Sequence, residues 1–177
     1  MRLPCYISPV AETYSYCLLK NHFHFLIKIK EQDPLNTFYT ENFPLSNPNQ
    51  DEGLHTADFV VSKQFARLFS SYTQSINKSV VRTGSLIETP FKRIEVKSNV
   101  HLYKLLWYIH FNPQKHGFIK DFRDYPHSSY QSFIQIKSTK LKRDEVLNWF
   151  GGADLFQKYH LLQQGDNEIK DYLIEFD

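Results

Sequence analysis

Cysteine is nearly absent from this chain. Among its 177 residues only Cys5 and Cys17 occur, at a spacing that makes neither a metal motif nor a disulfide framework. The chain therefore reads as a protein of a reducing compartment. It has no apolar run near the roughly 20 residues that a membrane helix needs, and the N-terminus lacks the basic-then-apolar pattern of a secretory leader. A cytoplasmic location without membrane partners is the expectation. No internal repeat is visible, and residues 31–58 contain six acidic side chains and not one Lys or Arg.

That gap is one part of a segregated charge pattern, which the net charge of +2 conceals. Residues 59–143 hold fifteen Lys or Arg against four acids, and residues 144–177 hold eight acids against two lysines. A basic middle of this size attracts polyanions, with an affinity that falls as salt rises. The plainer alternative is a set of solvated helix faces. The length fits one domain with a small appendage, and 41% hydrophobic with 23% charged residues is a globular composition. Aromatics reach 16%, with 15 Phe and 11 Tyr, which permits stacking on nucleic-acid bases without requiring it.

The most regular stretch is residues 22–30, where His22, His24, Leu26, Lys28 and Lys30 alternate with Phe23, Phe25, Ile27 and Ile29. A period of two predicts a strand. Its Phe/Ile face is expected to be buried against helices, leaving the other face polar and basic. His22 and His24 then project side by side, as a metal ion held by two imidazoles requires. The competing interpretation is a pair of histidines on a solvated sheet face.

Around this strand the pattern predicts a preceding strand over 13–19 and a tight Lys20-Asn21 turn. Residues 31–57, with Pro34, Pro44 and Pro48, are expected to form a long loop with His55 on its surface. Asp58 is placed as the N-cap of a helix. That helix has an apolar stripe of Val61, Phe65, Leu68, Phe69, Tyr72 and Ile76, facing the sheet. Residues 77–89 read as a loop or short ribbon with Arg82. Residues 90–96 read as a strand, with Lys92 and Arg93 as candidate phosphate contacts. Ser98 or Asn99 caps a further helix expected to stop near Phe111, before Asn112-Pro113, with Leu102, Leu105, Leu106 and Ile109 as its core face. A loop over 118–130 carries His127-Ser128-Ser129, and short helices are expected over 143–150, 153–162 and 167–174.

On the helix that ends at Pro113, Tyr108 and Asn112 stand four apart, so the phenol and the amide share one side. A metal held by two neutral imidazoles and an amide oxygen keeps open positions, and a tyrosine beside it can attack phosphorus as a covalent nucleophile. His110 and His116 are expected at the surface or against phosphate. Tyr103, Tyr125 and Tyr130 are expected to be structural.

The segment Asn21-His22-Phe23-His24-Phe25-Leu26 resembles the His–apolar–His (HUH) motif of single-tyrosine transposases. Tyr108-Ile109-His110-Phe111-Asn112-Pro113, followed by Lys115-His116-Gly117, resembles the tyrosine motif of the REP-associated branch of that family, the transposases of insertion-sequence-200 type. Arg82-Thr83-Gly84-Ser85-Leu86, Pro90-Phe91-Lys92-Arg93 and Ser128-Ser129-Tyr130 are similar to further family blocks. The resemblance spans roughly residues 13–134. It implies an α+β fold with a ferredoxin-like antiparallel sheet, a divalent metal (Mg²⁺ or Mn²⁺), and nicking and rejoining of single-stranded or hairpin DNA through a 5′-phosphotyrosine. Carried over, Tyr108 is the nucleophile, His22, His24 and Asn112 are metal ligands, and Arg82, Lys92, Arg93, Lys115 and His116 contact DNA.

Two departures accompany the resemblance. Family members begin with another strand and a fuller helix, whereas about a dozen residues precede Thr13 here, so a sheet short of one strand is expected. His127 stands where the family usually has Trp. The domain expectation is a catalytic unit over 1–136 and a small acidic helical extension over 137–177, in a monomer or homodimer. The rival function is a nucleic-acid-binding relic of the same fold without chemistry.

Overall fold

The computed structural model describes residues 6–20, 22–42, 57–87 and 91–162. Cys5, the Asn21 half of the turn, His55 and the helix expected over 167–174 lie outside the described residues. The chain runs β1 (Ala11–Leu18), β2 (Phe23–Ile29), α1 (Gln32–Asn42), α2 (Ala57–Val80), α3 (Asn99–Lys115), a 3-10 turn (Phe122–Asp124), α4 (Tyr130–Ile134), α5 (Arg143–Phe150) and α6 (Ala153–Leu162). This is the expected α+β class, with the His-bearing hairpin strand and the tyrosine-bearing helix both present. Two compact units divide the chain, residues 1–12 with 28–91 and residues 13–27 with 92–177.

In the second unit β1 pairs with β2, and the Leu19 N–H donates to the His22 carbonyl at 2.9 Å across the tight turn. The other edge of β1 is covered too. The Leu18 N–H donates to the His127 carbonyl at 3.0 Å, and the Ser129 N–H to the Tyr16 carbonyl at 2.9 Å. The His127-Ser128-Ser129 segment, expected as plain loop, thus satisfies the groups that an open strand edge leaves unpaired.

The core joins Leu26 of β2, Leu106 and Ile109 of α3, Phe133 of α4, Val146 of α5 and Phe156 of α6. Leu26 is 6% exposed and lies on the same side of β2 as the two histidines, while Ile29 is 39% exposed and Phe23, Phe25 and Ile27 are only half-buried. The residue β2 gives to this core is thus on the imidazole side, and the Phe/Ile face is not the fully buried one that was expected. Alternation alone cannot say which face turns inward. Here the imidazole side is the inner one because α3 offers it polar partners.

α3 starts where Ser98 Oγ accepts from the His101 N–H at 3.2 Å, an N-cap that satisfies a donor the first turn leaves unpaired. It does not stop at Phe111. Pro113 sits inside its last turn, where the missing N–H costs one bond while the helix continues on either side. The His116 N–H donates to the Asn112 carbonyl at 3.1 Å and the Phe118 N–H to the Pro113 carbonyl at 2.9 Å. Gly117, at φ +70, takes the left-handed turn that ends the run. Asn112 is consequently held by helical backbone rather than by a loop.

The first unit contains three corrections. Residues 32–42 form α1, with Leu35 buried, where a loop was expected, because Pro34 falls in the first turn of the helix, which tolerates proline. Asp58 lies within the first turn of α2 rather than capping it. The buried positions of α2 are Val60, Gln64, Phe65, Leu68 and Phe69, so the expected Phe65, Leu68 and Phe69 hold while Val60 is buried in place of Val61. Phe91 packs its ring at 5.7 Å from Phe65 and 5.2 Å from Phe69. The strand expected over 90–96, which lies mostly in the second unit, is also absent among the described residues: residues 91–96 belong to no ladder.

α2 ends in a Schellman turn. The Arg82 N–H donates to the Asn77 carbonyl at 3.0 Å, and Val81 occupies the left-handed position with φ 51 while 95% exposed. A β-branched residue pays roughly 1–2 kcal/mol to stand there, against roughly 0.5–1 kcal/mol for the extra freedom glycine brings to the unfolded chain. Val81→Gly is therefore expected to stabilise the protein by up to about 1 kcal/mol, read as a higher urea midpoint with an unchanged slope.

Candidate functional site

α3 brings Tyr108 and Asn112 to the imidazole side of β2. His22 Nε2 and Asn112 Oδ1 are 3.1 Å apart. The His22 ring lies 5.1 Å from that of His24 and 5.2 Å from that of His116, both edge-on. The His24 ring lies 5.6 Å from that of Tyr108. The Lys115 ammonium sits 5.0 Å over the Tyr108 ring, a cation–π contact. The six side chains His22, His24, Tyr108, Asn112, Lys115 and His116 therefore form one cluster.

The electrostatics of the cluster favour the neutral forms of His24 and His116. Burial pushes the His24 imidazole down to about 4, helped by repulsion from His22, His116 and Lys115, with the Asn112 amide pulling the other way. Partial burial, then His22 and Lys115, lower His116. Burial raises the Tyr108 phenol, and the neighbouring Asn112 side chain offsets part of that. The phenol is 5% exposed, less accessible than an attacking group in a solvated cleft. Lys115, which covers one face of the ring, is exposed, so a flexible side chain forms part of that cover.

His24 Nε2 and Asn112 Nδ2 are buried and have no hydrogen-bond partner. Such atoms cost stability unless something pairs with them, so they mark where the cluster is chemically incomplete. Among the described residues no group of three or more His, Cys, Asp or Glu side chains is arranged to hold a metal ion. The donor set on offer is two imidazoles and one amide.

The other sequence candidates stand elsewhere. Arg82 is exposed on the turn after α2 in the first unit, with its guanidinium donating to the Ser85 carbonyl at 3.3 Å. Lys92 and Arg93 are exposed on the extended segment leading to α3. His110 is a correction. It is 0% exposed, because a residue two positions after Tyr108 points about 200° around the helix, toward the core.

There His110 Nδ1 and His160 Nε2 are 2.9 Å apart. His110 Nε2 lies 3.0 Å from Ser15 Oγ and 2.8 Å from Ser129 Oγ. This buried network was not foreseen. The helical position of His110 was the available signal for its burial, but nothing in the sequence links it to His160.

No protein-family model and no solved structure matches the chain. Over 146 residues the chain is 25% identical to a curated protein of Haemophilus influenzae named "Putative REP-associated tyrosine transposase", a match that covers 81% of this chain and 69% of the relative. Among the described residues no helix is long and apolar enough to cross a membrane.

The buried histidines set a pH dependence. Burial pushes His160 down to about 4, opposed by the Phe156 and Leu106 carbonyls, and burial together with His160 holds His110 well below the usual range. The unfolded chain binds a proton on each ring below about 6.5, whereas the folded chain does not until far lower. Stability is thus complete above that value and lost as pH falls toward 4, by on the order of 3 kcal/mol for His160 alone. Urea unfolding at pH 7 and pH 4.5 measures this, and His160→Gln is expected to flatten the decline.

Proposed function

We propose that this protein is a transposase-type DNA strand transferase that nicks single-stranded or hairpin DNA with Tyr108 and rejoins it. The observation that carries this reading is the convergence of the Tyr108 ring, the Asn112 amide and the two imidazoles on one buried spot. The similarity to the Haemophilus protein supports the same class. The REP-associated, insertion-sequence-200 type assignment belongs to this proposal.

A divalent ion fits the donor set. His24 Nε2 is buried with no partner, His22 Nε2 and Asn112 Oδ1 lie 3.1 Å apart, and two imidazole nitrogens with one amide oxygen suit Mn²⁺ better than the oxygen-seeking Mg²⁺, with open positions left over. Bound there, the ion would supply Lewis-acid polarisation of a phosphodiester oxygen. The chain does the rest. Tyr108 Oη forms the bond to phosphorus, the bond from phosphorus to the 3′-oxygen breaks, and the phenolic proton ends on that oxygen as a free 3′-hydroxyl. The phosphotyrosyl bond keeps the energy needed for rejoining. Asn112, one turn from Tyr108, accepts or donates at the phenol and fixes its aim. Lys115 and His116, at the exposed end of α3, are placed to hold phosphate. Arg82, Lys92 and Arg93 add backbone contacts along the DNA.

The 5% exposure of Tyr108 favours a second reading, a DNA-binding relic in which the phenol is a packing residue. Incubation with hairpin-bearing single-stranded DNA and Mn²⁺ separates the two. A covalent protein–DNA adduct on a denaturing gel is expected for the wild type. Tyr108→Phe is expected to abolish it, and His24→Ala or chelation to reduce it by at least about a hundredfold. Salt-sensitive binding with no adduct, equal in wild type and Tyr108→Phe, would establish the relic.

A further inference from the structure

His160 Nδ1 lies 2.8 Å from the Phe156 carbonyl. A carbonyl only accepts, so that nitrogen carries a proton, and in a neutral ring Nε2 is then bare. Nε2 faces His110 Nδ1 at 2.9 Å. His110 must therefore donate from Nδ1, which leaves its own Nε2 bare and facing Ser129 Oγ at 2.8 Å and Ser15 Oγ at 3.0 Å. Ser129 Oγ also accepts from the Tyr16 N–H at 2.9 Å and lies 3.1 Å from Ser15 Oγ. The Phe156 carbonyl on α6 thus sets the proton position on both rings, in competition with the Leu106 carbonyl that also faces His160. Both rings then carry their proton on Nδ1.

This chain of bonds is fully buried, with His110, His160 and Ser129 all at 0% exposure and Ser15 likewise. The Trp107 indole N–H adds a bond to the His160 carbonyl at 3.2 Å. α3 is thereby tied to His160 of α6 from two residues one turn apart, Trp107 and His110. His110 stands between Tyr108 and Asn112 in sequence and points to the opposite side of the same helix, so a rotation of α3 about its axis that re-aims the phenol and the amide breaks these bonds.

We propose that His160 is a positioning residue for the Tyr108–Asn112 pair, acting through His110 to fix the rotation of α3 against β1. The proposal rests on the transferase reading only in its catalytic consequence. The physical claim is that a histidine on α6, outside the sequence blocks similar to the family, sets the aim of side chains on α3.

The test has two arms. Long-range ¹H–¹⁵N spectra of the wild-type protein near neutral pH are expected to show His110 and His160 both neutral and both protonated on Nδ1. Either ring protonated on Nε2 alone, or on both nitrogens, overturns the relay. The second arm compares His160→Leu, which removes donor and acceptor, with His160→Gln, which keeps both. In His160→Leu the ring signals of His22 and His24 and the side-chain amide of Asn112 are expected to shift. The rate of Tyr108 adduct formation should fall about tenfold or more, as small misplacement of a reacting group does. His160→Gln should restore most of both. A folded His160→Leu with wild-type site signals and rate overturns the proposal, as does a Gln variant no better than Leu. If the Leu variant does not fold, the wild-type tautomers and the Gln variant decide alone. A wild type that forms no adduct would defeat the transferase reading, while the tautomers and signal shifts still decide the positioning role.

Discussion

The structure of the second unit follows from one constraint, that α3 buries polar groups on two sides at once. His101, Tyr108, His110 and Asn112 are all buried on a single helix. Each polar group taken out of water without a partner costs roughly 1–3 kcal/mol, so a core of aliphatic residues on both sides would be a poor neighbour. The hairpin meets the constraint by turning its imidazole side inward on one flank. Ser15, Ser129 and His160 meet it on the other. Among the described residues around Tyr108, the atoms without a hydrogen-bond partner are His24 Nε2 and Asn112 Nδ2, both on the first flank.

Much of this was legible in the sequence, and the parts that were not share a cause. The hairpin, α2, α3 and the short helices α5 and α6 announce themselves through period and caps, because those signals are local. The spacing of Tyr108 and Asn112 fixed their common side before any packing was known. The inward face of β2 was misjudged because hydrophobicity predicts which face prefers burial, not which neighbour can satisfy it. Leu26 was the one apolar residue on the histidine side, and it is the one that enters the core. The end of α3 was placed too early because Pro was treated as a stop. α1 was missed because three prolines weighed more than their positions. The strand expected over 90–96 failed because β propensity without a partner strand is not a strand.

Histidine is where sequence and structure part most sharply. Residues 110 and 116 are six apart on or next to one helix and carry the same chemistry, yet one is fully buried among serines and another histidine, and the other is exposed beside His22. Depth separates them. The buried ring is held neutral with an assigned proton. The exposed one keeps its freedom to meet phosphate. The surface position expected of both holds for His116 and fails for His110, and residue type alone could not tell them apart.

The chain beyond residue 136 also gains a meaning that its composition hides. Its acids outnumber its bases, which reads as a solvated extension, but Val146 and Phe156 are 0% exposed in the same core as Leu106 and Ile109. The Arg143 guanidinium donates to the Gln135 and Lys137 carbonyls at 2.9 and 2.8 Å, binding the start of α5 to the segment before it. The helix that aims Tyr108 is therefore clamped between a hairpin in front and a pair of C-terminal helices behind. Net charge described only the outer faces of those helices. A helix gripped on both flanks is held against the rotation that would relieve an unpaired amide and imidazole, and so the incomplete bonding at His24 and Asn112 is a consequence of the packing around α3.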